Sequence, residues 1–230
     1  MLIAVNKPKG ITSFDVVKRL KHVFPGEKIG HSGTLDPLAT GLMILGIGKG
    51  TKKLNELIGL DKSYTAQIDF SKRSDTWDLG YWDYFEQLDT EKLKNPKLSD
   101  IESKLSQLIP SFELPLPAFS AKQKDGKRFY ELARKGKIME EKRLMKIDGF
   151  AVLNYDFPIL KVQLDVGSGT YIRSIAYRLG GEFGIGGILT GLRRTRIGER
   201  DFEESWEDGE IVDYHMRCQI GTFEWLKIED

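Results

Sequence analysis

The twelve-residue stretch 30–41, Gly-His-Ser-Gly-Thr-Leu-Asp-Pro-Leu-Ala-Thr-Gly, restricts the backbone more than any other part of the chain. Pro37 has a fixed φ and keeps the preceding Asp36 out of the α region. The glycines of the stretch permit tight backbone paths. The apolar run 42–45 follows and predicts a buried strand. We therefore expect a carboxylate on a constrained loop, which is a common place for a catalytic group, although an Asp-Pro pair also begins ordinary turns.

Length and composition are those of an ordinary globular protein. The 230 residues are 40% hydrophobic and 30% charged, enough for a substantial core in one large or two small domains. The single cysteine, Cys218, excludes an internal disulfide framework and a cysteine-rich zinc site. The apolar run at the N-terminus is too short for a signal peptide, and no stretch is long enough to cross a bilayer. We expect a cytoplasmic protein without membrane contact.

The charges are unevenly distributed, although the net charge is only +1. Residues 122–146 contain ten Lys or Arg and four Asp or Glu, and four arginines follow between positions 193 and 200. Residues 199–213 contain eight Asp or Glu. A local basic surface favours binding to nucleic-acid phosphates, and a solvated charged face is the alternative.

Hydrophobic periodicity predicts several helices among many strands. In the segment 158–167, apolar residues alternate with polar ones, which is typical of a half-buried strand. Strands are predicted at 2–5, 62–70, 142–155, 158–167 and 187–197, and helices after position 12, at 51–60, at 99–109 and from position 170. This mixture predicts the α+β class.

Two of the predicted helices begin with capping residues. Thr12 or Ser13 caps the first helix, whose apolar positions Phe14, Val17 and Leu20 keep helical spacing and so predict its buried face. The segment 99–102, Ser-Asp-Ile-Glu, forms a capping box for the later one.

The whole stretch 30–41 closely resembles the catalytic motif of the TruB family of tRNA pseudouridine synthases, in which the aspartate before the proline is catalytic. Other segments are similar to further landmarks of the family; they are Lys7-Pro8-Lys9-Gly10, Lys62-Ser63-Tyr64, Asp75-Thr76-Trp77-Asp78, Phe119-Ser120-Ala121-Lys122, Gly169-Thr170-Tyr171-Ile172-Arg173-Ser174 and Leu192-Arg193-Arg194-Thr195. The loop with Trp77, Tyr81 and Trp82 departs from the family pattern. The resemblance covers about residues 3–200.

The resemblance implies a pseudouridine synthase fold, with a mixed, mostly antiparallel central sheet flanked by helices and an RNA-binding cleft. It implies a single catalytic domain over residues 1–230, in which 90–150 form a basic RNA-binding insertion. Relatives usually continue into a C-terminal PUA-type RNA-binding domain. We expect none here because the chain ends at Asp230.

The resemblance also implies the site residues. Asp36 is the catalytic residue, Tyr64 stacks on the flipped base and Arg173 keeps Asp36 ionised. Arg173 lies in the first turn of its predicted helix, where a cation is unfavourable, so its position by itself predicts an anionic partner. Substrate contacts are expected from His31, Tyr171, Leu192, Lys7, Lys122, Arg193 and Arg194.

The implied reaction is the isomerisation of uridine to pseudouridine in the T-loop of tRNA, at position 55. The N1–C1′ bond breaks and a C5–C1′ bond forms, so neither a redox cofactor, a group donor nor a metal ion is required. We expect the T-arm stem-loop of tRNA as the partner, and a monomer that requires no protein partner.

Two other functions are compatible with parts of the sequence. A non-catalytic RNA-binding or tRNA-folding protein would keep the cleft without needing Asp36, yet Asp36, Tyr64 and Arg173 are all present. A glycoside-cleaving enzyme would need two carboxylates flanking one bond, and Asp165 is then the second candidate.

Overall fold

The computed structural model of the protein describes residues 1–80, 84–120, 122–124, 126–133, 135–137, 141–201 and 211–213. The contacts divide the chain into two compact units, one formed by 1–64 with 192–230 and the other by 65–191. The expectation of one domain with an insertion at 90–150 stays a prediction. Five residues named above and most of the acidic stretch lie outside the described residues; they are Tyr81, Trp82, Ala121, Cys218, Asp230 and most of 199–213.

Strands and helices are both present in the described part of the chain. The strands are β1 (Leu2–Lys7), β2 (Ile29–His31), β3 (Thr40–Ile47), β4 (Lys62–Asp69), β5 (Lys72–Arg73), β6 (Glu86–Gln87), β7 (Ser111–Pro115), β8 (Gln123–Lys124), β9 (Lys127–Arg128), β10 (Lys142–Asp156), β11 (Ile159–Val166), β12 (Ile188–Ile197), β13 (Arg200–Asp201) and β14 (Ile211–Asp213). The helices are α1 (Ser13–Val23), α2 (Leu54–Ile58), α3 (Leu98–Ser106), α4 (Phe129–Ala133) and α5 (Ile172–Phe183), with 3₁₀ turns at Gly48–Lys53 and Thr90–Lys92.

The sheet of the first unit has the strand order β14-β1-β3-β12-β4. β1 is antiparallel to β3, with Lys7 opposite Gly41, and β3 is parallel to β12, with Thr40 opposite Arg193. β2 pairs with the far end of β3, where His31 lies opposite Leu45. The loop between β2 and β3 therefore has both of its ends fixed to one sheet, and this loop contains Asp36.

β1 and β3 are nearly continuous apolar runs because both of their faces are covered. Almost every residue of the two strands is buried. Part of the core of this unit is a cluster of buried apolar side chains from the strands and from α2; its members are Leu2, Ala4, Leu42, Ile44, Leu54, Leu57 and Ile197.

Helix α1 begins at the predicted capping residue. The Thr12 side chain accepts a hydrogen bond from the backbone N–H of Asp15, and the Asp15 carboxylate accepts one from the backbone N–H of Thr12. The expectation that Phe14 belongs to the buried face was wrong, since its side chain is 59% exposed. The buried stripe follows the i, i+3, i+4, i+7 pattern of Ser13, Val16, Val17 and Leu20, and position 14 is rotated away from it.

The sheet of the second unit has the order β12-β4-β11-β10-β7. Along β11 the alternate residues Leu160, Val162, Leu164 and Val166 are buried, as the sequence pattern predicted. β10 is fifteen residues long and pairs with β11 on one side and with β7 on the other. The proline-rich strand β7 lies at the end of this order, where a missing N–H donor is tolerated.

The two later helices start close to the predicted positions, but the cap predicted for the first of them is absent. α3 begins at Leu98, with Lys97 at the cap position and no side-chain hydrogen bond there, so the capping box at Ser99 was wrong. α5 begins at Ile172, with Tyr171 at the cap position, and ends at Gly184, which has φ +69°. No helix in the described part of the chain is long and apolar enough to span a bilayer.

Candidate active site

The loop that contains Asp36 is tied to the first unit along its length. The N–H of Ser32 donates to the carbonyl of Ile44 at 2.9 Å, and the N–H of Ala39 donates to the carbonyl of Asp36 at 3.0 Å. Asp36 itself is half-buried. The carboxylate therefore sits on an ordered turn and is not sealed in the core.

Ser13, in the first turn of α1, holds the residue before Asp36. Its hydroxyl accepts a hydrogen bond from the N–H of Leu35 at 2.8 Å and donates one to the carbonyl of Leu35 at 3.0 Å. Ser13 and Leu35 are each 3% exposed, so water has little access to replace these bonds. One buried hydroxyl thus satisfies both backbone groups of the residue adjacent to the candidate catalytic carboxylate.

Lys7 holds the residue after Asp36. Its Nζ donates to the carbonyls of Pro8, Ile11 and Pro37 at 2.9, 2.7 and 3.4 Å, and the N–H of Gly10 donates to the same Pro37 carbonyl at 2.8 Å. Lys7 is fully buried. The structure therefore gives Lys7 a role in fixing the loop, and its direct contact with a substrate stays a prediction.

Arg194 lies underneath the same loop. Its Nε donates to the carbonyl of Leu42 at 2.7 Å and its Nη2 donates to the carbonyl of Gly33 at 3.2 Å. The side chain is only 1% exposed. The family resemblance implied that this guanidinium contacts the substrate, but the structure directs it into the unit, where it binds backbone carbonyls on both sides of Asp36.

Gly41 is required for this approach of β12 to the loop. A Cβ at position 41 would lie 2.3 Å from the carbonyl oxygen of Arg194, and the glycine has φ +98°. No other residue would fit there without moving the strand.

Two further basic side chains lie near Arg194. Burial, and to a smaller extent the charge of Arg194, lower the pKa of His31. The N–H of Gly33 donates to His31 Nδ1 at 3.2 Å, which leaves the proton of the neutral ring on Nε2. His31 is thus an uncharged Nε2–H donor at neutral pH, a form that suits contact with an RNA base or ribose.

Lys62 was not among the predicted site residues. It is 6% exposed, and its Nζ donates to the carbonyls of Ile58 and Leu60 at the end of α2. Burial and the nearby Arg194 lower the pKa of Lys62 to about 8. The sequence signal was a lysine at the start of a strand directly after a short helix, but nothing in that pattern indicated burial.

The first unit also contains three other predicted site residues. Tyr64 in β4 is 7% exposed. The carbonyl of Leu192 accepts a hydrogen bond from Thr40 Oγ1 at 3.4 Å, and Arg193 is half-buried opposite Thr40. Their contacts with a substrate stay predictions.

Arg173 belongs to the second unit and is 4% exposed there. Its Nη1 donates to the carbonyl of Thr76 at 3.0 Å and its Nη2 donates to the carbonyl of Phe119 at 3.2 Å. Its Nε lies 3.7 Å from Oδ2 of Asp78, which is itself 7% exposed. Asp78 is therefore an anionic partner of Arg173, and the pairing of Arg173 with Asp36 stays a prediction.

Asp78 was absent from the predicted site residues. The segment 75–78 is similar to the family, but sequence alone does not connect it with Arg173, which lies almost a hundred positions later in the chain. A carboxylate and a guanidinium that are both buried in this way hold each other in place.

The remaining predicted contacts lie in the second unit. Tyr171 is half-buried at the start of α5, and its N–H donates to Met145 Sδ at 3.4 Å. Lys122 forms an ion pair with Glu141 and lies 5.6 Å from the centre of the Phe129 ring. Part of the Lys122 charge is thus already compensated within the protein. Among the described residues, no group of three or more His, Cys, Asp or Glu is arranged to hold a metal ion.

Comparison with known proteins decides which family has this loop. The model of the TruB family pseudouridylate synthase (N terminal domain) matches residues 21–172. This chain belongs to the TruB family. The tRNA pseudouridine synthase B of Chloroherpeton thalassium is 38% identical over 217 residues, which cover 92% of this chain and 88% of that protein. The tRNA pseudouridine synthase B of Trichormus variabilis is 39% identical over 226 residues, which cover 96% of this chain and 74% of that protein.

Solved structures support the same fold. A chain of the Cbf5-Nop10-Gar1 complex has a TM-score of 0.67 and 25% identity, covering 88% of this chain and 50% of that chain. A chain of an H/ACA RNP bound to a substrate RNA containing 2′-deoxyuridine has a TM-score of 0.65 and 23% identity, covering 90% of this chain and 50% of that chain. This TruB chain therefore spans about half the length of these solved chains.

These matches confirm two expectations from the sequence. The recognition of the TruB family from the stretch 30–41 is confirmed. The α+β class with a mixed, mostly antiparallel sheet is confirmed by the strand pairings and by the structural neighbours.

Proposed function

We propose that this TruB protein isomerises uridine to pseudouridine at position 55, in the T-loop of tRNA, with Asp36 as its catalytic residue. The observation that carries the proposal is the fixed loop that presents Asp36: Ser13, Lys7 and Arg194 bind backbone atoms on both sides of this residue. The proposal is supported by the names of the relatives, which are tRNA pseudouridine synthases.

The reaction rearranges one nucleotide without changing its composition. The N1–C1′ bond breaks, the uracil turns while it is held, C5 bonds to C1′, and the proton on C5 is finally transferred to N1. The base must first leave its stack, at a cost of a few kcal/mol. The chemistry then requires an anionic oxygen close to the sugar or the base, which Asp36 supplies. Its rigid loop keeps that oxygen in place, so the reaction spends little free energy on ordering it.

The other residues of the site act on the nucleotide or on Asp36. Tyr64 stacks on the flipped uracil and assists removal of the C5 proton. Arg173 is the positively charged partner assigned to Asp36. His31 contacts the RNA through Nε2–H, or fills the space that the flipped base vacates. Leu192 forms part of the wall of the base pocket.

The substrate in this proposal is the T-arm stem-loop, bound by a monomer in the cytoplasm, where tRNA is available. The basic stretch 122–146 and the half-buried Arg193 meet the RNA backbone, because phosphate contacts supply most of the affinity for RNA. Arg194 is no longer assigned to phosphate, since its guanidinium is buried beneath the Asp36 loop.

The test is the conversion of an unmodified tRNA transcript, mapped by carbodiimide labelling of pseudouridine. We expect one product, at position 55, and we expect Asp36→Asn to abolish turnover while thermal stability and RNA affinity stay close to those of the wild type. The matched control is Asp165→Asn, which removes the second carboxylate that glycoside cleavage would need and is expected to retain activity. RNA binding by the wild type without any pseudouridine would overturn the proposal.

A further inference from the structure

Trp77 has an unusual backbone conformation next to Arg173. It is the non-glycine residue with positive φ among the described residues, at +60°. The residues on either side of it both contact the guanidinium: the carbonyl of Thr76 accepts from Nη1 of Arg173, and the carboxylate of Asp78 lies beside its Nε. The conformation of Trp77 therefore determines whether both acceptors reach the same arginine.

A large side chain rarely adopts this backbone conformation unless the surroundings impose it. Here the loop is held by hydrogen bonds on both sides of Trp77. The hydroxyls of Ser74 and Thr76 donate to the carbonyl of Asp78 at 3.1 and 3.0 Å. The N–H of Leu189 donates to the carbonyl of Trp77 at 3.0 Å. Such imposed conformations are concentrated at functional sites.

The ring of Trp77 makes a second connection, to the helix that contains Arg173. Trp77 stacks on Tyr177, with ring centres 4.3 Å apart and an angle of 14° between the planes. Tyr177 lies four residues after Arg173 on α5, which is about one helical turn. The stack thus joins the loop and the helix within one turn of the arginine.

We propose that Trp77 and Tyr177 are positioning residues for Arg173: their stack holds the Thr76 carbonyl and the Asp78 carboxylate against the guanidinium. The inference rests on the proposed function, in which Arg173 acts on Asp36. Tyr177 is 48% exposed, so the stack contributes less to the core than a buried aromatic pair would. Its main effect is then on the geometry around Arg173.

The first experiment removes the stack from the helix side. In Tyr177→Ala we expect kcat on a tRNA transcript to fall about tenfold or more, because small displacements of an active group are costly, with KM changed less than about twofold. Tyr177→Phe keeps the ring and should retain wild-type kcat. Arg178→Ala is the matched control. Arg178 is the next residue of the same helix, is also exposed, and contacts Glu182 and Phe112. Its replacement should leave kcat unchanged.

A second measurement follows Arg173 without any turnover. Phenylglyoxal labels accessible arginines, and peptide mass spectrometry reports the labelled fraction at Arg173. This side chain is 4% exposed in the wild type, so we expect slow labelling that becomes at least severalfold faster in Tyr177→Ala but not in Tyr177→Phe. This readout tests the inference even if the wild type fails to convert uridine, which would overturn only the proposed function.

The third experiment separates the ring from the backbone. Trp77→Gly permits the same positive φ without strain but removes the stack, whereas Trp77→Phe keeps a ring at the position. We expect Trp77→Gly to behave like Tyr177→Ala, and Trp77→Phe to behave like the wild type. Wild-type kcat and wild-type labelling of Arg173 in both Tyr177→Ala and Trp77→Gly would overturn the inference. Ile101→Val, which removes one buried methylene far along the chain, controls for a general loss of stability.

Discussion

The hydroxyl of Ser13 offers the sharpest test of how the Asp36 loop is held. Ser13→Ala deletes one oxygen and leaves the N–H and the carbonyl of Leu35 without their partner. Both residues are 3% exposed, so solvent cannot readily replace the lost bonds. An unsatisfied buried backbone group costs about 1–3 kcal/mol, and two such groups together are expected to lower the free energy of unfolding by about 2–6 kcal/mol.

This loss of stability has a visible thermal consequence. For a chain of this length, about 1 kcal/mol corresponds to roughly 2–4 °C, so Ser13→Ala should lower the Tm by about 4–24 °C. The loop next to Asp36 also becomes looser, and kcat measured well below the Tm should fall about 10- to 100-fold. The assays are calorimetry or urea unfolding for stability and single-turnover kinetics with a tRNA transcript for catalysis.

Ser106→Ala is the matched control for this experiment. The Ser106 hydroxyl donates to the carbonyl of Glu102 at 2.8 Å, but on the exposed surface of α3. Its loss should change the free energy of unfolding by less than about 0.5 kcal/mol and leave kcat unchanged. If Ser13→Ala behaved like Ser106→Ala in both assays, the argument that Ser13 orders the catalytic loop would be refuted.

Three further predictions concern charged groups. Both Arg173→Met and Arg194→Met should lower the Tm, because each strands two backbone carbonyls, but Arg173→Met should lower kcat more; equal kinetic effects would contradict this division. In the folded protein the pKa of Lys62 is about 8, below its usual 10.5. The free energy of unfolding of the wild type, relative to that of Lys62→Met, should therefore rise between about pH 8 and about pH 10.5, by at most about 1.4 kcal/mol per pH unit. If Lys62 had an ordinary pKa, urea unfolding would give the same difference between the two proteins at about pH 7 and at about pH 9.5. An isolated T-arm stem-loop should have nearly the same kcat/KM as whole tRNA, because the candidate phosphate contacts in 122–146 suit one arm. A kcat/KM about a hundredfold higher for whole tRNA, or about 2.7 kcal/mol, would indicate contacts with distant parts of the tRNA.

Much of the fold follows from patterns that are local in the chain. The alternation along β11 predicted which residues are buried, because successive side chains of a strand point to opposite faces. Thr12 capped α1 as predicted, because a capping hydroxyl and its partner N–H are only three residues apart. Phe14 was assigned wrongly to the buried face, since which neighbouring stripe of a helix is covered depends on what packs against it.

In the candidate site, too, some features follow from the local sequence and others only from the tertiary structure. The sequence by itself determined the family and the position of Asp36, because a match over twelve consecutive residues is far more specific than a short spacing pattern. Only the tertiary structure decided what the cations do. Arg194 meets the carbonyl of Leu42, 152 positions away, and Arg173 meets Asp78, from which it is likewise distant in the chain. A buried cation is stable only where folding brings acceptors to it, and those acceptors are chosen by strand pairing and helix packing, which no local pattern records.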